Sequence, residues 1–535
     1  MEKGKQKYKL PDGWIVVKLE DISKQITDGS HNPPLSVDSG IPMLSARNIE
    51  NNNLTFDEVR YIAPEDFKHE NQRTKIEQGD VLLTIVATIG RVAVVSKNIK
   101  SSFTLQRSVA AIKPLINSEF LLYCLQSPLF QKQLTENAKG TAQKGVYLKT
   151  LRGLEIPLAP LEEQQRIVFK IETLFSELDH AKKGLQISNL KLETYRQALL
   201  NKAFNGDLSK KWRNENLEER NNSDKKLPIN WRNQRINILT DFVGSGSTPK
   251  GGKNIYKEDG IPFIRSQNIL VNRLIEDDLV FITPEINEKM KRTHTKPKDV
   301  LLNITGASIG RSAYIPESLE NGNVNQHVCI IRVKHELIHY KYLTFYLNSP
   351  EAQLKIKQIN TGATREALTL SQIKDFEIPV CNIQEQSIII QILESQFTLV
   401  DNLVDTLNKS FKEIESLRYS ILKKAYAGNL VEQEIADEPV QKLLDIIKKE
   451  KAEYFKTQKE AFLNKPKRIR KMETNKTVWQ ILKENKSAMR SDKVWTDSKH
   501  KDDIDAFYAE VKELVDLGKI IEEKRQGKVS YLKVK

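Results

Sequence analysis

The segment His335-Glu336-Leu337-Ile338-His339 has HExxH spacing, in which two helical histidines four residues apart bind zinc and the glutamate acts as base. A hydrolase needs a third ligand, and none stands at metalloprotease spacing, since Glu351 lies only 12 residues after His339. The segment also falls where a strand is predicted to pass into a helix, not inside one long helix. A free-standing zinc-dependent hydrolase built on His335 and His339 is therefore the alternative reading, not the leading one.

Asn32-Pro33-Pro34-Leu35 shares the frame of the Asn-Pro-Pro-aromatic loop that grips a flipped base in adenine methyltransferases. Its fourth residue is leucine and no Gly-rich cofactor loop follows a strand, so it reads as a rigid turn. No GxxxxGK[ST] phosphate loop is present, so any nucleotide-driven movement must come from a partner.

The elements that must position such residues are set by the whole chain. It has 535 residues, 84 basic and 70 acidic, for a net charge of +14. That length predicts three or four domains, and the charge points toward a polyanion. With 39% hydrophobic and 29% charged residues, the chain is read as folded rather than disordered. Cys124, Cys329 and Cys381 form no CxxC pair, which argues against a zinc ribbon or a disulfide framework. The start is too polar for a signal peptide, and the longest apolar run, Val81 to Ile89, is about half of a membrane span. A cytoplasmic, reduced protein is expected.

The chain is written twice, with a period near 220 residues. Leu10-Pro11-Asp12-Gly13-Trp14 recurs as Leu227-Pro228-Ile229-Asn230-Trp231, and Gly40-Ile41-Pro42 as Gly260-Ile261-Pro262. Asp80-Val81-Leu82-Leu83 matches Asp299-Val300-Leu301-Leu302, and Gln106 is aligned with Gln326. Each copy opens with short apolar runs punctuated by Gly, Asn and Pro, read as a compact α/β globule. Each then carries one long helix, about 160–204 and 382–426. Apolar residues recur every seven positions at Ile171, Leu178, Leu185, Leu192 and Leu199, then at Leu393, Val400, Leu407, Ile414 and Ile421. Leu174, Ala181, Tyr195, Leu403 and Leu417 are predicted to fill the alternate seam, giving an antiparallel coiled-coil pair about 65 Å long.

This pattern resembles the specificity (DNA-recognition) subunit of type I restriction–modification enzymes. The resemblance is carried by the Leu-Pro-x-x-Trp openings and by the leads Ile156-Pro157 to Glu163-Gln164 and Ile378-Pro379 to Glu385-Gln386. The exits Ala203-Phe204-Asn205-Gly206-Asp207-Leu208 and Ala425-Tyr426-Ala427-Gly428-Asn429-Leu430 complete it. It spans about 10–450 and departs at Cys381-Asn382, where the family prefers proline. The resemblance implies a non-catalytic subunit with two α/β target-recognition domains on paired spacer helices, each domain reading half of a split double-stranded DNA target. It further implies two methyltransferase subunits docked on the rod with S-adenosylmethionine. Restriction subunits with ATP and Mg would join them.

A base reader needs donors and acceptors on loops at strand ends. Arg47, Asn48, Gln106, Arg107, Arg265, Gln267, Asn268, Asn325, Gln326 and His327 meet that requirement. Arg91, Arg311 and Lys250 suit phosphate contacts. Asn48 and Asn268 recur in both copies and so are expected to be structural. Two domains that read different half-targets must differ at their reading residues. That favours Arg107 against His327, and Ser30-His31 against Ser247-Thr248. The heptad residues Ile171, Leu178, Leu185, Leu192, Leu393, Val400, Leu407 and Ile414 are assigned to the partner-binding helices.

The resulting division is 1–145 and 211–367 for the two recognition domains, with 146–210 and 368–430 for the spacers. A charged helix and basic linker occupy 431–471, and a winged-helix-like α/β extension occupies 472–535. Residues 431–535 carry 25 basic and 20 acidic side chains, so charge alone does not assign them a role. Protein docking is slightly favoured over DNA contact.

Overall fold

The structure is a computed structural model. It describes residues 10–99, 101–140, 143–217, 227–249, 251–319, 321–360, 367–463, 476–485, 487–525 and 529–535. Lys465–Lys471 of the expected basic linker and Gln526–Lys528 of the expected winged-helix-like extension lie outside these residues.

Each globule is built on a four-stranded antiparallel sheet. In the first, the order is Ser23–Asp28, Val109–Pro114, Val81–Thr84, Val92–Val94; in the second, Thr240–Ser245, Val328–Val333, Val300–Asn303, Ser312–Tyr314. A three-stranded sheet (Arg60–Ile62, Ile41–Leu44, Thr104–Leu105) covers part of the first, and Val280–Ile282, Ile261–Ile264 and Asn323–Val324 repeat it. The central strands read as continuous apolar runs because both faces are buried. Val81, Leu83 and Ile112 pack toward the helices, while Leu82, Ala93 and Ala111 pack under Leu44 and Leu105. Val300 and Leu302 against Leu301 and Ile330 reproduce this split.

The register differs by one residue from the sequence alignment at one place. Ile85 N–H donates to the Ser108 carbonyl at 2.9 Å, and Ile304 N–H donates to that of His327 at 3.0 Å. Gln106 N–H likewise donates to Leu44 O, and Asn325 N–H to Ile264 O. Gln106 therefore corresponds to Asn325, and Arg107 to Gln326, not to His327. Side-chain identity at a turn misled the alignment; the backbone bonds fix it.

The two rod helices, Leu161–Phe204 and Ile383–Ala425, run antiparallel. Lys182 pairs with Glu415 at 2.9 Å, and the Tyr195 hydroxyl donates to Gln396 at 3.0 Å. Arg196 pairs with Asp401 and stacks over Phe397, 5.5 Å from the ring centre. Arg418 pairs with Asp179 and stacks over Phe175 at 4.6 Å, so the same clamp occurs twice about a twofold axis. The alternate seam lies four residues after each heptad position, not three. Phe175, Ala203, Phe397 and Ala425 are buried, whereas Leu403 and Leu417 are 52% and 51% exposed and Tyr195 is exposed too. Phe175 and Phe397 both stand at the fourth position, and burying their rings favours that seam.

Each rod helix starts in its own globule and ends in the core of the other. Phe204 packs edge-on against Tyr342 and Tyr346, ring centres 5.1 and 5.0 Å away. Tyr426 lies 5.2 Å from Phe120, and its hydroxyl donates to the Phe120 carbonyl. Gly206 (φ +81°) seats on Pro228 and Gly428 (φ +70°) on Pro11, where a Cβ would come within 2.4 and 2.1 Å of a proline ring. These positions admit only glycine, which explains the Gly in both helix exits.

The extension carries a helix at Val440–Leu463, which Pro439 immediately precedes. Val440, Leu443 and Ile447 enter the first globule's core. Arg166 grips Asp437 with two hydrogen bonds (2.8 and 2.6 Å), holding that carboxyl below its usual range. Farther along, Lys451 donates to the Glu20 carbonyl, and the Tyr454 hydroxyl bonds Gln25 at 3.2 Å. A separate core of Val478, Ile481, Val494, Phe507, Val511 and Leu532 supports the terminal unit. Its order is helix, Met489–Arg490 strand, helices Ser491–Asp497 and Ile504–Asp516, and the hairpin Ile520–Arg525/Val529–Val534, as in a winged helix. Among the described residues, no helix is long and apolar enough to cross a membrane.

Candidate nucleic-acid interface

Three segment ends meet at one rim of the first globule. Ser30 N–H donates to Leu105 O at 2.8 Å, Arg107 N–H to Ser30 O at 3.0 Å, and Ala46 N–H to Ser108 Oγ at 3.1 Å. Residues 28–31, 44–48 and 105–108 are thereby joined. In the second globule, residues 245–248, 264–268 and 325–328 join in the same way, through Gly246 N–H to Val328 O and Asn325 N–H to Ile264 O. Gly29 and Gly246 permit this closeness. A Cβ would lie 2.1 Å from Leu105 O at the first and 1.9 Å from Val324 O at the second. Sequence reading missed both glycines, although their recurrence 217 positions apart was a usable signal. Gly29→Ala is expected to force the first rim apart at a cost of about 1–3 kcal/mol. Denaturant unfolding of Gly29→Ala beside the unaltered chain checks this.

The sequence candidates divide by exposure. Arg47, Arg91, Arg107, Ser247, Thr248, Gln267, Arg311 and Gln326 are exposed on or beside these rims, and His31 is half-exposed. Arg91 additionally donates to Ile49 O at 3.3 Å, tying it to the rim. Gln106 and His327 are partly covered, the latter bonded to Thr305. Lys250 lies outside the described residues.

Four of the candidate contacts turn inward instead; for Asn48 and Asn268 this is the structural role that their recurrence in both copies predicts, while Asn325 and Ser30 are corrected. Asn48 is buried, its amide oxygen accepting from Ser45 N–H and its NH2 donating to Asp57 O. Asn268 repeats this with Arg265 N–H and Asp278 O. Both side chains close a 3-10 turn and are buried there, away from any base. Asn325 is buried and caps His327 N–H, and Ser30 is buried with its backbone in the sheet bridge. Arg265 is held by Asp278 and lies over Tyr256, so its charge is partly matched within the globule.

The heptad residues are corrected too. Ile171, Leu393, Val400 and Ile414 are buried; Leu178, Leu185, Leu192 and Leu407 are half-buried between the helices. They hold the rod together, while Ile187, Leu190 and Leu399 stay exposed on it.

The HExxH match does not form a zinc-site geometry. His335–Leu337 is a turn, and the helix begins only at Tyr340, so the histidines do not share a helical face. His339 Nδ1 accepts from Lys341 N–H as the helix cap, and the ring stacks on Tyr340. Burial keeps its pKa below the ordinary histidine value.

The chain matches the Type I restriction modification DNA specificity domain family over residues 11–188 and 228–416. It is 29% identical over 327 residues to the EcoBI specificity subunit of Escherichia coli, covering 60% of this chain and 68% of that one. Identity to the EcoKI specificity subunit of Escherichia coli K12 is 24% over 446 residues, covering 81% and 92%. A solved structure concerned with complex assembly and conformational transition of the type I R-M system contains a chain of similar fold. Its TM-score is 0.58 at 21% identity, covering 79% of this chain and all of that one.

Proposed function

The chain belongs to the type I restriction modification DNA specificity family, and we propose that it recognises a bipartite DNA target, one half per globule, as the specificity subunit of a type I complex. The observation that carries this reading is the recurrence of one polar rim, with the same close-packed glycine, on two globules at opposite ends of an antiparallel rod. A twofold relation of that kind suits two half-targets separated by a spacer of fixed length.

In this reading the chain performs no chemistry. Its exposed arginines contact phosphates and base edges, while side chains that differ between the rims discriminate bases. Modification subunits with S-adenosylmethionine would dock on the outward face of the rod, where Ile187, Leu190 and Leu399 offer apolar surface. Restriction subunits with ATP and Mg would complete a cytoplasmic assembly.

Mapping methylated adenines after co-expression with the modification partner tests the reading. A split motif is expected, and replacing 227–367 by a relative's domain should change one half of it. A single contiguous motif, or a swap that alters both halves, would sink the proposal. Affinity should also fall linearly with salt on logarithmic axes, each neutralised phosphate adding about −0.9 to the slope. A flat response in a salt titration would count against DNA as the ligand.

A further inference from the structure

One cluster at the first rim has no counterpart at the second. The half-exposed His31 bonds through Nε2 to Asp28 Oδ2 at 2.8 Å, while Arg73 engages the other oxygen of that carboxylate. Asp28 is 8% exposed against 55% for His31, so the anchor is buried and the ring projects. Arg73 stands in the last turn of the Pro64–Thr74 helix, and its carbonyl accepts from Gln25 Nε2 at 3.3 Å. Gln25 Oε1 in turn accepts from Tyr454 of the extension helix. The equivalents of Asp28 and His31 in the second globule are Ser245 and Thr248, which cannot build this arrangement.

The chemistry of the anchor fixes the ring. A carboxylate paired with arginine only accepts, so the hydrogen on Nε2 is committed to Asp28. Nδ1 is the remaining polar atom, and in the neutral imidazole it is an acceptor. Among major-groove edges, the exocyclic amines of adenine (N6) and cytosine (N4) supply the matching donor. We propose that Asp28 and Arg73 are positioning residues that set His31 to accept from an exocyclic base amine in the first half-target. This rests on the chain being a DNA reader, and assigns the chemistry of one position it reads.

The test uses the full chain assembled with its modification partner. His31→Ala should relax one position of one half-target about tenfold, the other half staying as in the unaltered chain. Asp28→Asn, which keeps the size but has one oxygen where His31 and Arg73 each use their own, should relax the same position. In the His31→Ala background it should add nothing, because it acts through the ring. Two duplexes then identify the amine: purine replacing adenine at that position, or 2-pyrimidinone replacing cytosine. The duplex lacking the relevant amine should bind the unaltered chain about tenfold more weakly and the His31→Ala chain equally well.

An unaltered chain that marks no split motif overturns the functional reading itself. Given such a motif, three results overturn this proposal alone. They are an intact motif in His31→Ala, a loss in Asp28→Asn that spreads to both halves or adds to that of His31→Ala, or indifference to both amine-deleted duplexes.

Discussion

Replacing Arg213 by methionine is expected to destabilise the second globule and its junction with the rod by about 3–5 kcal/mol. Glu385, at the start of the second rod helix, is fully buried. Its Oε1 accepts from Arg213 at 2.5 Å and from the Ser209 hydroxyl at 2.7 Å, and Arg213 also donates to the Gly206 carbonyl at 2.8 Å. Without the guanidinium, a carboxylate stays in a dry site with one hydroxyl as its remaining partner among these contacts. Removing both charges, with Arg213→Met and Glu385→Leu together, should recover most of the loss, since an apolar pair leaves no stranded charge. Denaturant unfolding of the three proteins checks this; a double variant as weak as the single one would show that packing, not charge, holds the junction. The first copy solves the same problem differently, with Glu163 accepting from Trp14 Nε1 at 3.0 Å.

The second large effect concerns the rod as a ruler. Inserting seven residues after Asn189 and another seven after Asn408, which stand opposite each other in the antiparallel pair, should lengthen it by about 10 Å at 1.5 Å per residue. At 3.4 Å per base pair this adds about three base pairs to the preferred spacer, with both half-targets unchanged. Three base pairs also turn the second half-target by roughly 100° at about 10.5 base pairs per turn, so affinity should fall as DNA is twisted to fit. Inserting into one helix alone should break the register of the two arginine clamps, Arg196 on Phe397 and Arg418 on Phe175, and abolish the split motif. Methylation mapping reads all three cases. An unchanged spacer in the paired insertion would show that the rod does not set the spacing.

The architecture was legible because duplication and heptads are written in residue type. Trp14 and Trp231, or Ile171 and Leu393, announce equivalent positions without any contact being known. The alternate seam was not legible, because Leu403 and Phe397 look equally suited to a core and only the facing helix chooses between them. The rim was less legible still. Asn48 and Arg47 are neighbours of similar polarity, yet one side chain closes a turn and the other faces solvent. Polar residues at strand ends serve local backbone and external ligands with the same atoms, so composition cannot separate the roles. Asp28 escaped notice for a related reason, since its importance lies in what it holds, 45 positions away at Arg73.

The crossing of each rod helix into the opposite globule has a consequence for synthesis. Tyr426 supplies part of the wall against which Phe120 rests, 306 residues earlier in the chain. At about 5–20 residues per second, a ribosome needs tens of seconds to deliver that wall after Phe120 has emerged. For this interval the first globule is an open shell that only the last part of the duplicated sequence can close. A polypeptide released early is left with an unsealed first globule, and the apolar surface around Phe120 marks it for chaperones and proteases.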